Sequence, residues 1–360
     1  MKNFKNTSRF ILVALVALFV ISCNIKNDDP LPIVDNSILG VINNNPNLTS
    51  FNQAIKIAGL IDGPTVIAPT TPPTVPATEP IYLNGKVAYT VFAPTNEAFT
   101  SFLAANNFAS LQAVPVAILR QVLLNHLVAR TIVTSNSSGF TGYSKTLAFG
   151  PAPSYNKLSL FINNTSYLAS TNPIPGGTPS PIPGGTVKVN GIATIIQADI
   201  STTGGTLQII DKVLALPTIV TQVAANPMLS SLATAVTSPS QSAVLTTLQG
   251  NGPFTVFAPD NNAFTAFSTE VTPFNPTGMG MISASNLTRV LNYHVSNGNV
   301  LRAGLSIGLV INTLQTPQTV LVQSGFTLKD QANRISTITA FDIQCTNGVV
   351  HVVNKVLLPN

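Results

Sequence analysis

The chain has 360 residues, enough for two domains of ordinary size. Hydrophobic residues make up 45% of it, but charged residues only 8%, against about a quarter in an average soluble protein. Thr, Ser, Asn, Gln and Pro take the place of the missing charge. This excludes a disordered chain, which would carry fewer apolar groups and more net charge. It describes a polar, nearly neutral surface of the kind that extracellular and adhesive proteins present. Of the formal net charge of +5, three units come from Lys2, Lys5 and Arg9, which leave 14 of the 17 basic residues against 12 acidic ones, or +2. No basic stripe with interleaved aromatics remains, so nucleic acid is excluded as a partner.

In chain order, the basic start runs into an apolar stretch from Phe10 to Ile21. Twelve residues fall short of the roughly 20 that span a bilayer and fit the apolar region of a secretory signal. The stretch ends in Val20-Ile21-Ser22-Cys23, which resembles the lipobox of bacterial lipoproteins. That resemblance implies cleavage before Cys23, acylation of its thiol, and attachment to a membrane through the buried chains. Residues 24–32 then read as a polar, Pro-marked tether. Asp28-Asp29 after Lys26 resembles signals that send lipoproteins of the Bacteroidota to the outer face of the outer membrane. The expected location is therefore the cell envelope, lipid-anchored at the outer membrane and surface-exposed. With Cys23 acylated, Cys345 is the only thiol left, so no intrachain disulfide can form. Cys345 sits in an alternating apolar segment and reads as a small buried residue.

Three blocks occur twice, in the same order. Thr90-Val91-Phe92-Ala93-Pro94-Thr95-Asn96-Glu97-Ala98-Phe99 recurs as Thr255-Val256-Phe257-Ala258-Pro259-Asp260-Asn261-Asn262-Ala263-Phe264. Leu123-Leu124-Asn125-His126-Leu127-Val128 recurs as Val290-Leu291-Asn292-Tyr293-His294-Val295, with the His one place further from its Asn. Gly205 to Leu214 recurs as Gly348 to Leu357. One domain has been duplicated. The first block predicts a short strand stopped by Pro94 or Pro259, then a helix capped by Thr95 or Asp260. On that helix Ala98, Phe99, Phe102 and Leu103 share a face, as do Ala263, Phe264 and Phe267. The second block predicts an amphipathic helix (Val116 to Leu127; Ala284 to His294) and then a strand. The third predicts a Gly turn and an alternating strand, Val349 to Leu357 in copy two.

The first and third blocks lie 121 residues apart in copy one (Thr90 to Asp211) and 99 apart in copy two (Thr255 to Asn354). The surplus includes the Pro/Gly-rich stretch at 173–185. A second Pro-rich insertion, at 64–80, precedes the first strand. Neither composition supports regular structure, so both are expected as exposed loops. The expected domains are 33–217 and 218–360.

Together the blocks resemble the fasciclin family. Thr-Val-Phe-Ala-Pro-Thr/Asp-x-x-Ala-Phe is similar to its first signature, Tyr293-His294 to its central Tyr-His pair, and Asn347 to Pro359 to its last. The resemblance implies an α+β fold, with a wedge of β-strands in two sheets and a bundle of short helices in each domain. It also implies adhesion, or extracellular binding, to a surface protein or polysaccharide. The region around Tyr293 and His294, with His126 in copy one, becomes the candidate partner contact. Copy one departs from the pattern: Asn125-His126 lacks the Tyr, and Gln208 replaces the last-block His351. If those groups serve a ligand, copy one is mainly a spacer.

Catalysis finds no support. His126, His294 and His351 are the only histidines, and no HxH, HExxH or paired CxxC spacing predicts a metal site. Each reads as a His hydrogen-bonded near a helix end. No GxSxG elbow is present. Of the acids of copy two, Asp260 reads as a cap, Asp342 lies in an apolar run, and Glu270 and Asp330 read as surface charges. Gly176-Gly177 and Gly184-Gly185 sit beside Pro rather than in a phosphate loop. With no Trp, stacking on a sugar lacks its best platform. No cofactor is implied. The alternative to an adhesin is a surface binding module of a polymer-capture or transport system.

Overall fold

The computed structural model describes residues 35–60, 81, 83, 87–134, 140–152, 155–165, 186–270 and 282–360. The signal segment, Cys23, the tether and both Pro-rich insertions lie outside the described residues. Copy one contains α1 (Ile38–Asn43), α2 (Thr49–Ile57), β1 (Tyr89–Pro94), α3 (Asn96–Ala105), α4 (Val116–Leu124), β2 (Leu127–Val128), β3 (Gly142–Phe149), β4 (Lys157–Asn164), β5 (Val187–Val189), β6 (Ala193–Thr202) and β7 (Gly205–Ile210). Copy two contains α5 (Ile219–Ala225), α6 (Ser230–Thr237), α7 (Ser242–Gln249), β8 (Phe254–Pro259), α8 (Asn261–Thr269), α9 (Ala284–Tyr293), β9 (Val295–Asn297), β10 (Val310–Asn312), β11 (Thr319–Gln323), β12 (Thr327–Lys329), β13 (Ile335–Cys345) and β14 (Gly348–Val353).

Each copy builds one seven-stranded sheet with the same order, β2-β1-β7-β6-β5-β4-β3 in the first and β9-β8-β14-β13-β12-β11-β10 in the second. Every pairing is antiparallel except one in each sheet. There the first and third sequence blocks run parallel, with Tyr89 opposite Gly205 through Pro94 opposite Ile210, and Phe254 opposite Gly348 through Pro259 opposite Val353. In copy two a bridge between Ser296 and Thr313 brings the two ends of the sheet together, so it curls on itself.

The parallel pair divides each domain into two cores. Val91, Ala93, Leu207 and Ile209 face the helices, whereas Phe92 and Ile210 face the inside of the curled sheet. In copy two Val256, Ala258, Val350 and Val352 face the helices, and Phe257 and Val353 the other way. The third block was expected to run as an alternating strand as far as Leu357. Instead β14 stops at Val353 and is buried at every position. Its alternation runs between two cores, as in a parallel strand covered on both faces. The helix expected to reach Leu127 ends at Leu124, because Asn125 and His126 are occupied elsewhere. The expected caps are present: Thr95 Oγ1 accepts from Ala98 N at 3.2 Å and Asp260 Oδ1 from Ala263 N at 2.8 Å.

The turn glycine of the third block is a steric requirement. At Gly205 φ is +130° and a Cβ would lie 1.8 Å from Tyr89 O; at Gly348 φ is +145° and a Cβ would lie 2.0 Å from Phe254 O. Only a residue without a side chain lets the parallel strands start opposite one another.

The two halves belong to one compact unit, Asn36–Asn360, and polar groups join them. Ser159 on β4 is 1% exposed, and its hydroxyl accepts from Gln344 N at 3.0 Å and from Lys145 Nζ at 3.0 Å. Lys145 also donates to Asp342 O, and Gln222 Nε2 donates to Ser159 O. Tyr143 OH donates to Gln222 O and accepts from Asn226 Nδ2, both at 3.3 Å. Burial lowers the Lys145 pKa and raises that of Tyr143. Cys345 lies near this junction, fully buried, and burial pushes its thiol up as well.

A Cβ at position 348 collides with backbone, which cannot give way as a flexible side chain can. Gly348→Ala is expected to cost ~3 kcal/mol or more of unfolding free energy by urea denaturation. The substitution Gly308→Ala meets open space at φ +86° and is expected to cost only the ~1 kcal/mol of the backbone conformation.

Candidate functional site

The helix-to-strand turn singled out in the sequence is built around a buried histidine in both copies. α9 ends at Tyr293, and His294 forms its C-cap. His294 Nδ1 lies 2.7 Å from Val290 O, one turn back along the helix, and its Nε2 lies 2.9 Å from Leu357 N. A carbonyl can only accept and a backbone N–H can only donate. Nδ1 therefore carries the proton and Nε2 the lone pair. His126 repeats this, 2.7 Å from Val122 O and 2.8 Å from Leu214 N. Each ring fastens the end of a helix to the last residue of the third block. The histidines are thus equivalent to one another, and the partner of Tyr293 in copy one is Asn125. The sequence alignment had paired Asn125 with Asn292.

Tyr293 is fully buried, and its hydroxyl donates to Thr319 O at 2.7 Å and accepts from Gln331 N at 3.1 Å. Gln331 Nε2 donates to the same Thr319 carbonyl at 2.9 Å. The phenol ties the start of β11 to the turn between β12 and β13. Asn125 instead donates to Leu214 O and Ala215 O. His126 and His294 are 0% and 3% exposed. The three candidate contact residues, Tyr293, His294 and His126, therefore present no side chain at the surface of the described structure. Every polar atom of the two rings and of the phenol is spent on backbone, so their observed role is to hold the turns that do reach solvent.

The last-block His351 follows the same logic. Its Nε2 lies 2.8 Å from Val300 O, and its Nδ1 accepts from Asp342 N at 3.3 Å. In copy one Gln208 does this work: Nε2 donates to Ile132 O at 3.2 Å, and Oε1 accepts from Asp199 N at 2.9 Å. Asp199 and Asp342 sit at the same bulge, with φ +53° and +57°. At this position the departure of copy one from the family pattern exchanges one hydrogen-bonding group for another that meets the equivalent backbone atoms.

Asp330, expected as a surface charge, is 4% exposed. Its Oδ1 accepts from Arg334 N at 2.8 Å and its Oδ2 from Leu358 N at 3.0 Å, and Arg334 bridges 3.2 Å to Glu270. Asp330 anchors the C-terminal segment, and Glu270 holds Arg334. On the surface of copy two, exposed Arg302 stacks at 4.7 Å on both Phe326 and Phe341. These residues are too far apart in sequence for any motif to have grouped them. Among the described residues no three His, Cys, Asp or Glu side chains converge to hold a metal ion.

Two copies of one α+β module, each closed by a parallel pairing of its first and last sequence blocks, define a tandem domain protein. The match to a family model is direct: the Fasciclin domain fits residues 77–217 and again 227–359. The chain belongs to the fasciclin family, whose domain is a non-enzymatic, adhesion-type fold associated with extracellular binding. It is 31% identical over 175 residues to the protein sll1483 of Synechocystis, covering 47% of this chain and 89% of that one. It is 30% identical over 282 residues to human periostin, and 27% identical over 280 residues to the pig transforming growth factor-beta-induced protein ig-h3. Each of those alignments covers 77% of this chain but only 29% and 36% of the relative, so the chain spans about a third of either animal protein. Among solved structures, a FAS1 domain pair from the insect cell adhesion molecule Fasciclin I superposes with a TM-score of 0.45 at 20% identity, over 75% of this chain and 88% of that one.

Burial holds both clasp histidines neutral and lowers their pKa to about 4, against an ordinary 6.5, with the backbone bond opposing the shift in part. The unfolded chain binds these protons first, so the stabilisation is complete above pH 6.5 and is lost as pH falls towards 4. Each histidine is expected to contribute a loss on the order of 3 kcal/mol across that window. Urea denaturation at pH 7 and pH 4.5 measures it. His294→Gln is expected to lower stability at pH 7 and to flatten the pH dependence of copy two.

Proposed function

We propose that this chain is a cell-envelope lipoprotein whose two fasciclin domains mediate adhesion or extracellular binding to a surface protein or polysaccharide, and that it is not an enzyme. The observation that carries the reading is the tandem pair itself: two non-catalytic domains joined through a buried polar junction at Ser159, Gln222 and Gln344. Such a pair offers surfaces at a set spacing. The similarity to periostin and to the protein ig-h3 agrees with this role. The lipobox-like Val20-Ile21-Ser22-Cys23 supplies the anchor, and the low charge suits a surface that works outside the cell. Because the clasp residues are buried, the partner meets the turns that Tyr293 holds, around Thr319 and Gln331.

Protease treatment of intact cells, comparing the wild type with Cys23→Ala, tests the anchor and its orientation together. The expected result is membrane-bound wild type that is digested from outside, and release of the variant into the soluble fraction. A wild type that is fully protected would remove cell-to-cell adhesion as its role, and a variant that stays in the membrane would remove the lipid anchor.

A further inference from the structure

The duplication provides an internal comparison for a cavity lined by the helices of copy two. Residues 37–56 and 218–237 are equivalent throughout. Ser37 and Thr218 cap α1 and α5, and Asn45 and Asn226 cap the turns that follow. Asn96 and Asn261 make the same two bonds to those segments, at 2.9 Å in each case. In copy one the space between the helices is filled. Phe51 is 1% exposed, with its ring centroid 6.3 Å from those of both Phe99 and His126. The mouth above it is bridged by a 2.7 Å hydrogen bond from Asn52 Nδ2 to Asn43 Oδ1, with Lys56 exposed beside it.

In copy two every position lining this space on α5 and α6 that differs from copy one is smaller. Phe51, Ile55 and Ile42 become Leu232, Val236 and Val223; Asn43, Asn52 and Lys56 become Ala224, Ala233 and Thr237. A cavity of about 30 Å³ results, floored by Val256 and the ring of His294. It opens between α5 and α6, where Ala224 and Thr237 are exposed. No Asp, Glu, Lys or Arg occurs from Val213 to Pro259, so the two helices and their surroundings in the chain carry no charge.

We propose that this slot binds the alkyl end of a neutral amphiphile, one molecule at a time. The cavity takes the chain terminus, and the open mouth takes the methylenes behind it. The chemistry of the lining selects the occupant. Its one polar side chain in the floor, His294, has both nitrogens engaged with Val290 O and Leu357 N. A peptide or sugar entering there would leave its own donors and acceptors unpaired, whereas a hydrocarbon chain has none to lose. An apolar lining of this kind favours an apolar guest over water. A charged headgroup would find no counter-charge on α5 or α6, while a hydroxyl can meet Thr237 at the rim.

Methyl-labelled NMR of the protein titrated with straight-chain alcohols from 1-butanol to 1-hexanol tests this, with hexanoate as the charged counterpart. Saturable shifts confined to α5, α6 and α7 are expected. Affinity should rise roughly fourfold for each methylene, the factor that follows from its transfer free energy, and hexanoate should bind more weakly than hexanol. Leu232→Phe is expected to weaken hexanol at least about tenfold by refilling the floor with the side chain that copy one uses. Should that variant fold poorly, Ala224→Asn with Ala233→Asn rebuilds the bridge of copy one at the surface and is expected to give the same loss with an unchanged melting temperature. Shifts that do not saturate, an affinity independent of chain length, or full binding by the Asn pair would overturn the proposal. So would tighter binding of N-acetyl-leucine amide than of hexanol, because the occupant would then be a polypeptide side chain.

Discussion

The parallel pairing of β1 with β7, and of β8 with β14, is the constraint on which the rest of each domain depends. It joins the first and last blocks of the repeat, more than a hundred residues apart in copy one. All other pairings in the sheets are antiparallel and join strands near in sequence. Closing the long loop costs conformational entropy before any contact is gained. The return is a strand pair covered on both faces, with the helices on one side and the curled sheet on the other. The clasp histidines secure this arrangement at its edge. They tie the helix that precedes β2 or β9 to the chain that leaves β7 or β14, and they can do so only while neutral.

The two copies show which features of the module are fixed by geometry and which by chemistry. The turn glycine, the N-caps and the clasp histidine recur because backbone approach, an open helix end and two backbone atoms leave little choice. At other positions different groups serve one purpose. Gln208 and His351 both bridge a carbonyl in the segment after β2 or β9 and the amide of a bulged Asp. Asn125 and Tyr293 both reach backbone carbonyls, but the longer Tyr reaches a different loop. The helical face is where the copies diverge in volume, and that divergence leaves one filled and one open.

Much of this was legible in the sequence because the repeat is strong. Thr95 and Asp260 announce their caps, Pro94 and Pro259 stop their strands, and the glycine of the third block marks a turn. What could not be read was the far side of each residue. Alternation in Val349 to Val353 cannot distinguish core and solvent from two cores, since both faces of β14 carry Val with one His between. Asp330 looked like a surface charge because its partners, Arg334 N and Leu358 N, are backbone atoms that no composition reveals. Tyr293 and His294 stood out as a motif, but a motif does not say whether it faces a partner or the protein's own main chain. The slot between α5 and α6 was hidden for another reason. Leu232 and Val236 are ordinary core residues until they are set beside Phe51 and Ile55.

The strand geometry also determines how such a domain carries a mechanical load. In the parallel pair, the chain enters β8 at one end of the sheet and leaves β14 at the opposite end. A pull along the strand axis, applied at the start of β8 and the end of β14, slides one strand past the other. The hydrogen bonds between them lie across that direction and share the load at once. An antiparallel pair pulled from its adjacent ends would open one bond at a time, like a zipper. A pull across the domain is thus met by the element that resists shear, and the yielding force is set by six facing residue pairs in each domain acting together.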